Sequence, residues 1–165
     1  MTVVVADTTP LRYLVEIAYE SLLLQLFTKV WIPGAVAREL QGKGTPEIVR
    51  QWAGRLPSWV EVREMAHLPF EHEASGLDRG EWEAIQLAHE IHANLLLIDE
   101  RPGARVAREQ GFTVTGTLGV LVEAARSGFV SIDEALARLA NTNFRRTDEL
   151  FEQTKQRARK PRGNP

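Results

Sequence analysis

The chain has 165 residues, 44% of them hydrophobic and 25% charged, with a net charge of −2. This is the size and balance of one globular domain able to bury a core. It contains no cysteine, which excludes disulfides, thiolate metal sites and a cysteine nucleophile and is compatible with a cytoplasmic location. No charged segment followed by a long apolar stretch opens the chain. No run approaches the ~18 apolar residues of a membrane span, so neither a signal peptide nor a membrane association is expected.

Val3 to Asp7 reads as a buried strand that ends in an acid. Thr8 or Thr9 then caps a helix with Pro10 in its first turn, and Leu11, Leu14, Val15 and Ala18 follow at helical spacing. A second helix is expected over Ser21 to Phe27, then a short strand, Val30-Trp31-Ile32, stopped by Pro33-Gly34. Ala35 to Leu40 resumes as helix. Thr45-Pro46-Glu47 opens another helix to Trp52, and Trp59 to Val62 is a third strand. His67 to Ser75 reads as loop. Glu81 to about His92 is a strong helix with Ala84, Ile85, Ala88 and Ile91 on its apolar face. Leu95-Leu96-Leu97-Ile98 is a buried strand that ends in Asp99 and Glu100. A helix from Gly103 to Gln110 closes at Gly111, a C′ glycine. Phe112 to Thr115 is a fifth strand, and Gly116-Thr117 opens a helix to about Arg126. Ser131 to Glu134 is a capping box, and a final helix begins near Thr147. Strands alternating with helices argue for a parallel sheet covered on both faces.

Charge is unevenly spread. The eleven residues from Lys155 to Pro165 hold five cations and no acid. This basic tail is a candidate contact for a polyanion, or else a solvated terminus. The apolar run Ser21 to Phe27 carries more apolar surface than one face needs and is a candidate interface.

Four acids occupy comparable places: Asp7 and Asp99 at strand ends, Glu39 in the helix after the second strand, and Glu81 at the start of the helix before the fourth. Ligands of open α/β sheets bind at the carboxyl ends of the strands. Clustered carboxylates raise one another's pKa or bind a cation, and hard cations such as Mg²⁺ or Mn²⁺ take oxygen ligands. Each acid also has a plainer role: Asp7 as a helix cap, Glu39 as a solvated helix acid, Glu81 as a dipole-favoured acid and Asp99 as a loop acid. Glu83 falls on a different helical face from Glu81 and is expected to be exposed. Asp78 and Glu100 are reserve ligands or ion-pair partners. Thr8 and Thr115 are supporting hydrogen-bond donors, or else serve turns and caps. Arg101 and Arg105 could hold phosphate or pair with acids. The four histidines, His67, His72, His89 and His92, show no ligand pattern, and the four tryptophans read as core or interface anchors.

Val3 to Leu11, Gly80-Glu81-Trp82-Glu83-Ala84-Ile85, Leu95 to Arg101 and Val114 to Gly119 together resemble a bacterial and archaeal subgroup of PIN domains, relatives of the VapC toxin ribonucleases. The resemblance runs from Val3 to about Leu150. It implies a three-layer α/β/α fold around a five-stranded parallel sheet of order 3-2-1-4-5, with a helical C-terminal extension. The nuclease domain would span residues 1–150, and residues 151–165 would form the end of the last helix and a partly disordered basic tail. It further implies an endoribonuclease dependent on Mg²⁺ or Mn²⁺, with Asp7, Glu39, Glu81 and Asp99 as metal ligands and catalytic acids. Glutamate at position 81 departs from the aspartate common among VapC-like relatives. RNA is the implied substrate, and a small antitoxin and a second copy of the chain are the implied partners. The alternative is a non-catalytic PIN-like module that binds RNA or protein. The sequence lacks the second strand-end aspartate of a haloacid-dehalogenase-type phosphatase, the Gly-x-Gly-x-x-Gly of a dinucleotide site and the Gly-Lys-Ser/Thr of a nucleotide-triphosphatase loop.

Overall fold

The computed structural model describes residues 2–65, 72, 75–99 and 101–163. His67 and Glu100 lie outside them. Five strands, β1 (Val4–Ala6), β2 (Val30–Pro33), β3 (Val60–Arg63), β4 (Leu95–Leu97) and β5 (Thr113–Thr115), form one sheet in the order β3-β2-β1-β4-β5. All neighbours are parallel, with Ala6 opposite Leu97 and Leu97 opposite Thr115. The strand order reverses on either side of β1. The site-forming edge therefore lies where β1 and β4 end.

The alternation of side chains along a strand explains why both sheet faces are covered. Val4, Ala6 and Leu97 pack on one face with Leu11 and Leu14 of α1 (Thr8–Glu16), Leu22 and Leu23 of α2 (Ser21–Phe27), and Leu121 of α7 (Thr117–Arg126). Val36 and Leu40 of α3 (Gly34–Leu40) and Val49 of α4 (Glu47–Gly54) join the same cluster. Val5, Leu96 and Ile98 pack on the other face against α5 (Arg79–Glu90) and α6 (Pro102–Glu109), through Ile85, Leu87, Ala104 and Ala107. Trp82 is buried in this second cluster. Trp31, Trp52 and Trp59 are half-buried packing residues, in keeping with anchor roles.

Local signals account for most element ends. Gly111 follows α6 with φ +90°, the left-handed conformation a C′ glycine tolerates. Ser131 caps α8 (Ile132–Ala140) by accepting the Glu134 amide. The expected reciprocal half of that box is replaced by an ion pair from Glu134 to Arg138 at 2.9 Å. The helix expected from Glu81 begins two residues earlier, because Asp78 and Glu81 form a reciprocal capping box. Thr147 caps α9 (Asp148–Arg159).

Helix α9 is docked, with Phe151 and Thr154 buried. A boundary at residue 150 therefore falls inside a packed helix. Lys155 and Arg159 both pair with Asp133, at 3.5 and 3.3 Å, and Arg162 pairs with Glu123 at 3.4 Å. Much of the basic run thus meets the protein's own acids. On α2, Leu22 and Leu23 are buried while Leu24 stays 43% exposed. Among the described residues, no helix is long and apolar enough to cross a membrane.

If Phe151 anchors α9, Phe151→Ala lowers unfolding stability by about 3 kcal/mol, read as a fall in the urea midpoint. A loss below about 1 kcal/mol would show that the helix does not depend on this ring.

Candidate active site

Asp7 is the first residue beyond β1. Its amide still donates to the Leu97 carbonyl at 2.8 Å, so the ladder with β4 continues one step past the strand. This pins the backbone and leaves the carboxylate 2% exposed. Asp7 occupies the N-cap position of α1, but its side chain makes no capping hydrogen bond. The third helical residue is Pro10, which has no amide hydrogen to offer. Capping therefore does not explain this acid. Burial pushes its pKa up to about 8; the Thr8 amide works the other way, and the charges of Asp78, Glu39 and Glu81 raise it further.

Helices α3 and α5 bring the next acids to this edge. The Thr8 hydroxyl donates to Glu39, which fixes an otherwise exposed side chain. The Glu39 carboxylate lies so close to Gly80 that a Cβ there would fall 2.7 Å from its oxygen. Glu81 is 3% exposed. Its amide donates to Asp78 at 2.8 Å, and its carboxylate accepts the Asp78 amide at 3.3 Å, closing the capping box. Burial, then the charge of Asp78, raises its pKa; amides of Asp78 and Gly103 and the Arg101 cation oppose that rise. Glu81 thus serves α5 as a cap residue while lying within electrostatic reach of Asp7.

Glu83 corrects an expectation: it is 1% exposed. One oxygen accepts the Ala35 amide at 3.0 Å and the other the Arg79 side chain at 3.0 Å. Helix α3 starts after Pro33, whose side chain cannot cap it. Glu83 supplies that cap from across the structure and ties the start of α3 to α5. Helical spacing separates Glu81 from Glu83, but α3 covers the face on which Glu83 lies, and no single-helix pattern shows that neighbour.

Asp99 is half-buried, just past β4. It accepts the Thr117 amide and hydroxyl, each at 2.7 Å, and presses against Gly116, where a Cβ would collide with it. Thr117 is fully buried and was not singled out in the sequence. The available signal was a hydroxyl residue opening a helix directly beyond the fifth strand. Thr115 lies at the same edge, where its carbonyl accepts the Ile98 amide at 2.9 Å and its methyl packs at Gly119. Arg101 precedes α6 as its N-cap residue and approaches Asp78 at 3.6 Å. Arg105 points along the helix to Glu109 at 3.9 Å. His89 meets Gln110 and the edge of Phe112, and His72 lies edge-on to Trp82, which are packing roles. A cleft of about 660 Å³ opens beside Asp99, with Arg101, Thr115, Arg145 and Arg157 in its walls.

The structure thus brings Asp7, Glu39, Asp78 and Glu81 within electrostatic reach of one another, with Asp99 past the end of the neighbouring strand β4. Among the described residues, no group of three His, Asp or Glu converges tightly enough to hold a metal ion as arranged. The donor chemistry nevertheless fits a hard divalent cation. Every donor is a carboxylate oxygen, and Asp7 is a buried acid held neutral by burial and by neighbouring negative charge, which a cation would reverse.

A family model described as DUF3368, PIN domain, matches residues 3–160. Among solved structures, a PilT N-terminus domain protein from the hyperthermophilic archaeon Sulfolobus solfataricus P2 is similar at 19% identity, with a TM-score of 0.49. The match covers 89% of this chain and 100% of that one. No curated protein matches the chain.

Two outcomes are expected from these contacts. Native Asp7 keeps its proton up to about pH 8, whereas unfolded Asp7 loses it near the ordinary aspartate value of 3.8. Its contribution is therefore fully present below about pH 4 and is lost as pH rises to about 8. In EDTA, stability should fall by about 2 kcal/mol or more between pH 5 and pH 8. Asp7→Asn should flatten that slope in urea titrations; an equal slope in both proteins overturns the assignment. Glu83→Ala leaves the Ala35 amide unpaired and should cost about 1–3 kcal/mol, with Glu83→Gln recovering part of the loss. Equal stability of all three proteins would remove Glu83 as the link between α3 and α5.

Proposed function

Because the chain belongs to the PIN domain family, we propose that it is a metal-dependent endoribonuclease that hydrolyses RNA phosphodiesters at the edge marked by Asp7 and Asp99. The observation that carries this reading is the buried Asp7 carboxylate, whose pKa burial and the charges of Asp78, Glu39 and Glu81 raise. Such a group gains most from a divalent cation. Asp7, Glu39 and Asp99 would hold Mg²⁺ or Mn²⁺, with Glu81 adding negative charge near Asp7. When bound, the cation supplies neutralisation of phosphate charge and acidification of water.

The protein's own groups prepare this chemistry. Thr8 orients Glu39, and Thr117 orients Asp99 through two bonds. A carboxylate held this way keeps its direction without reorganisation. Asp7 must release its carboxyl proton as metal binds, so loading strengthens with rising pH. Arg101, at the rim and only loosely paired with Asp78, stands ready for a phosphate. Arg105 is a weaker candidate because it already meets Glu109.

The resemblance to VapC-like proteins extends the reading to the toxin of a toxin–antitoxin pair. A small antitoxin, or a second copy of the chain, would meet the partly exposed α2. A second reading is a non-catalytic PIN-like module that binds RNA or protein. It is favoured by the use of Glu81 in its own helix cap and of both Asp99 oxygens by Thr117.

The test is cleavage of mixed structured and single-stranded RNA with Mn²⁺ or Mg²⁺, with an EDTA control, by the parent, Asp7→Asn and Asp99→Asn. Metal-dependent cutting that falls by roughly 100-fold or more in both variants supports the nuclease. Cutting that survives both substitutions removes this site as its source. A folded parent that neither cuts RNA nor binds Mn²⁺ overturns the nuclease in favour of the binding module.

A further inference from the structure

The cleft beside Asp99 combines two features that the acid cluster lacks. Its floor is apolar and aromatic. Tyr13 and Phe144 meet edge to face at 5.1 Å, and Leu118 and Leu150 complete the surface. The Tyr13 hydroxyl donates to Asn143 at 2.9 Å, which fixes the segment that carries Phe144 and Arg145. Its walls hold cations. Arg145 comes from the segment before α9 and Arg157 from α9 itself.

The state of those two arginines is informative. Most cations near them are matched: Arg146 pairs with Asp148, Lys155 and Arg159 with Asp133, and Arg162 with Glu123. Among the described residues, neither Arg145 nor Arg157 has an ion-pair partner, and both are exposed on the same cleft. The cleft thus combines two guanidinium groups and two aromatic rings in its lining with a candidate catalytic carboxylate. Backbone phosphates bind cations, and unpaired bases stack on aromatic rings; together these are the requirements of a single strand. A duplex offers its phosphates but hides the faces of its bases.

We propose that this cleft is the groove that holds single-stranded RNA beside the reacting phosphate, with Arg145 and Arg157 on backbone phosphates and the Tyr13–Phe144 pair beneath the bases. The choice of RNA rests on the nuclease reading above; the groove itself rests on its own geometry. It gives α9 a role in substrate capture through Arg157, while the other cations of the C-terminal run hold the helix in place.

The test measures binding without cleavage. A fluorescently labelled single-stranded RNA is titrated in EDTA with the full chain, across a range of salt concentrations. Arg145→Gln, Arg157→Gln and their double variant are compared with Arg55→Gln, which makes the same charge change as each single variant at the end of α4. Two lost phosphate contacts should flatten the slope of log affinity against log salt by about 1.4 and weaken binding about tenfold at moderate salt. Arg55→Gln should bind as the parent does. The proposal is overturned if the double variant keeps the parent slope, if Arg55→Gln weakens binding equally, if an RNA duplex or an acidic peptide binds as tightly as the single strand, or if the parent binds no RNA. The two readings separate cleanly. A parent that cuts RNA while the double variant binds unchanged refutes the groove alone; a parent that binds through both arginines and never cuts refutes the nuclease alone.

Discussion

The desolvation of one carboxylate organises the site. Asp7 sits one residue beyond the central strand, and its amide is still committed to the β1–β4 ladder. The backbone that carries the side chain cannot shift without breaking a hydrogen bond in the middle of the sheet. Covering both sheet faces then closes α1, α3 and α5 around it. A buried, uncompensated charge is far more costly than a buried neutral acid, so the carboxyl holds its proton near neutrality.

Close approach at this edge depends on missing side chains and on one buried acid. Gly80 admits Glu39, Gly103 admits Glu81 and Gly116 admits Asp99. A Cβ at Gly80 or Gly116 would have to displace the carboxylate beside it, and one at Gly103 would press on Ile98 as well as Glu81. Glu83 supplies the complementary restraint, since it satisfies the start of α3, which Pro33 cannot cap, and joins it to the helix that bears Glu81. The separation of Glu39 from the first turn of α5 is therefore set by packing and hydrogen bonding remote from solvent, where side chains have little freedom to drift.

Charge is divided across the edge. Acids collect around Asp7, while Arg145 and Arg157, which have no ion-pair partner among the described residues, line the cleft past Asp99. A net charge of −2 describes neither region. Separation of this kind suits an anionic polymer that must approach a negatively charged centre, because cations beside the centre offset the repulsion along the path. The basic C-terminal run contributes less than its composition suggests, because Lys155, Arg159 and Arg162 are held by Asp133 and Glu123.

The sequence by itself determined the strands, the helices between them and the carboxylates that follow β1 and β4. Each of these is a local pattern: an apolar run, a cap, a glycine stop, an acid directly after a strand. The order of the five strands came from resemblance to PIN domains, and the sheet has that order. Only the tertiary structure decided the partners. It buried Glu83 because α3 lies over that face, set Thr117 rather than Thr115 against Asp99, gave Glu81 to a capping box with Asp78, and exposed Arg157 while pairing Arg159. The physical reason is that a side chain's environment depends on residues distant in the chain. Periodicity reports which face of an element is apolar, but burial, pairing and pKa are set by what the fold places opposite that face.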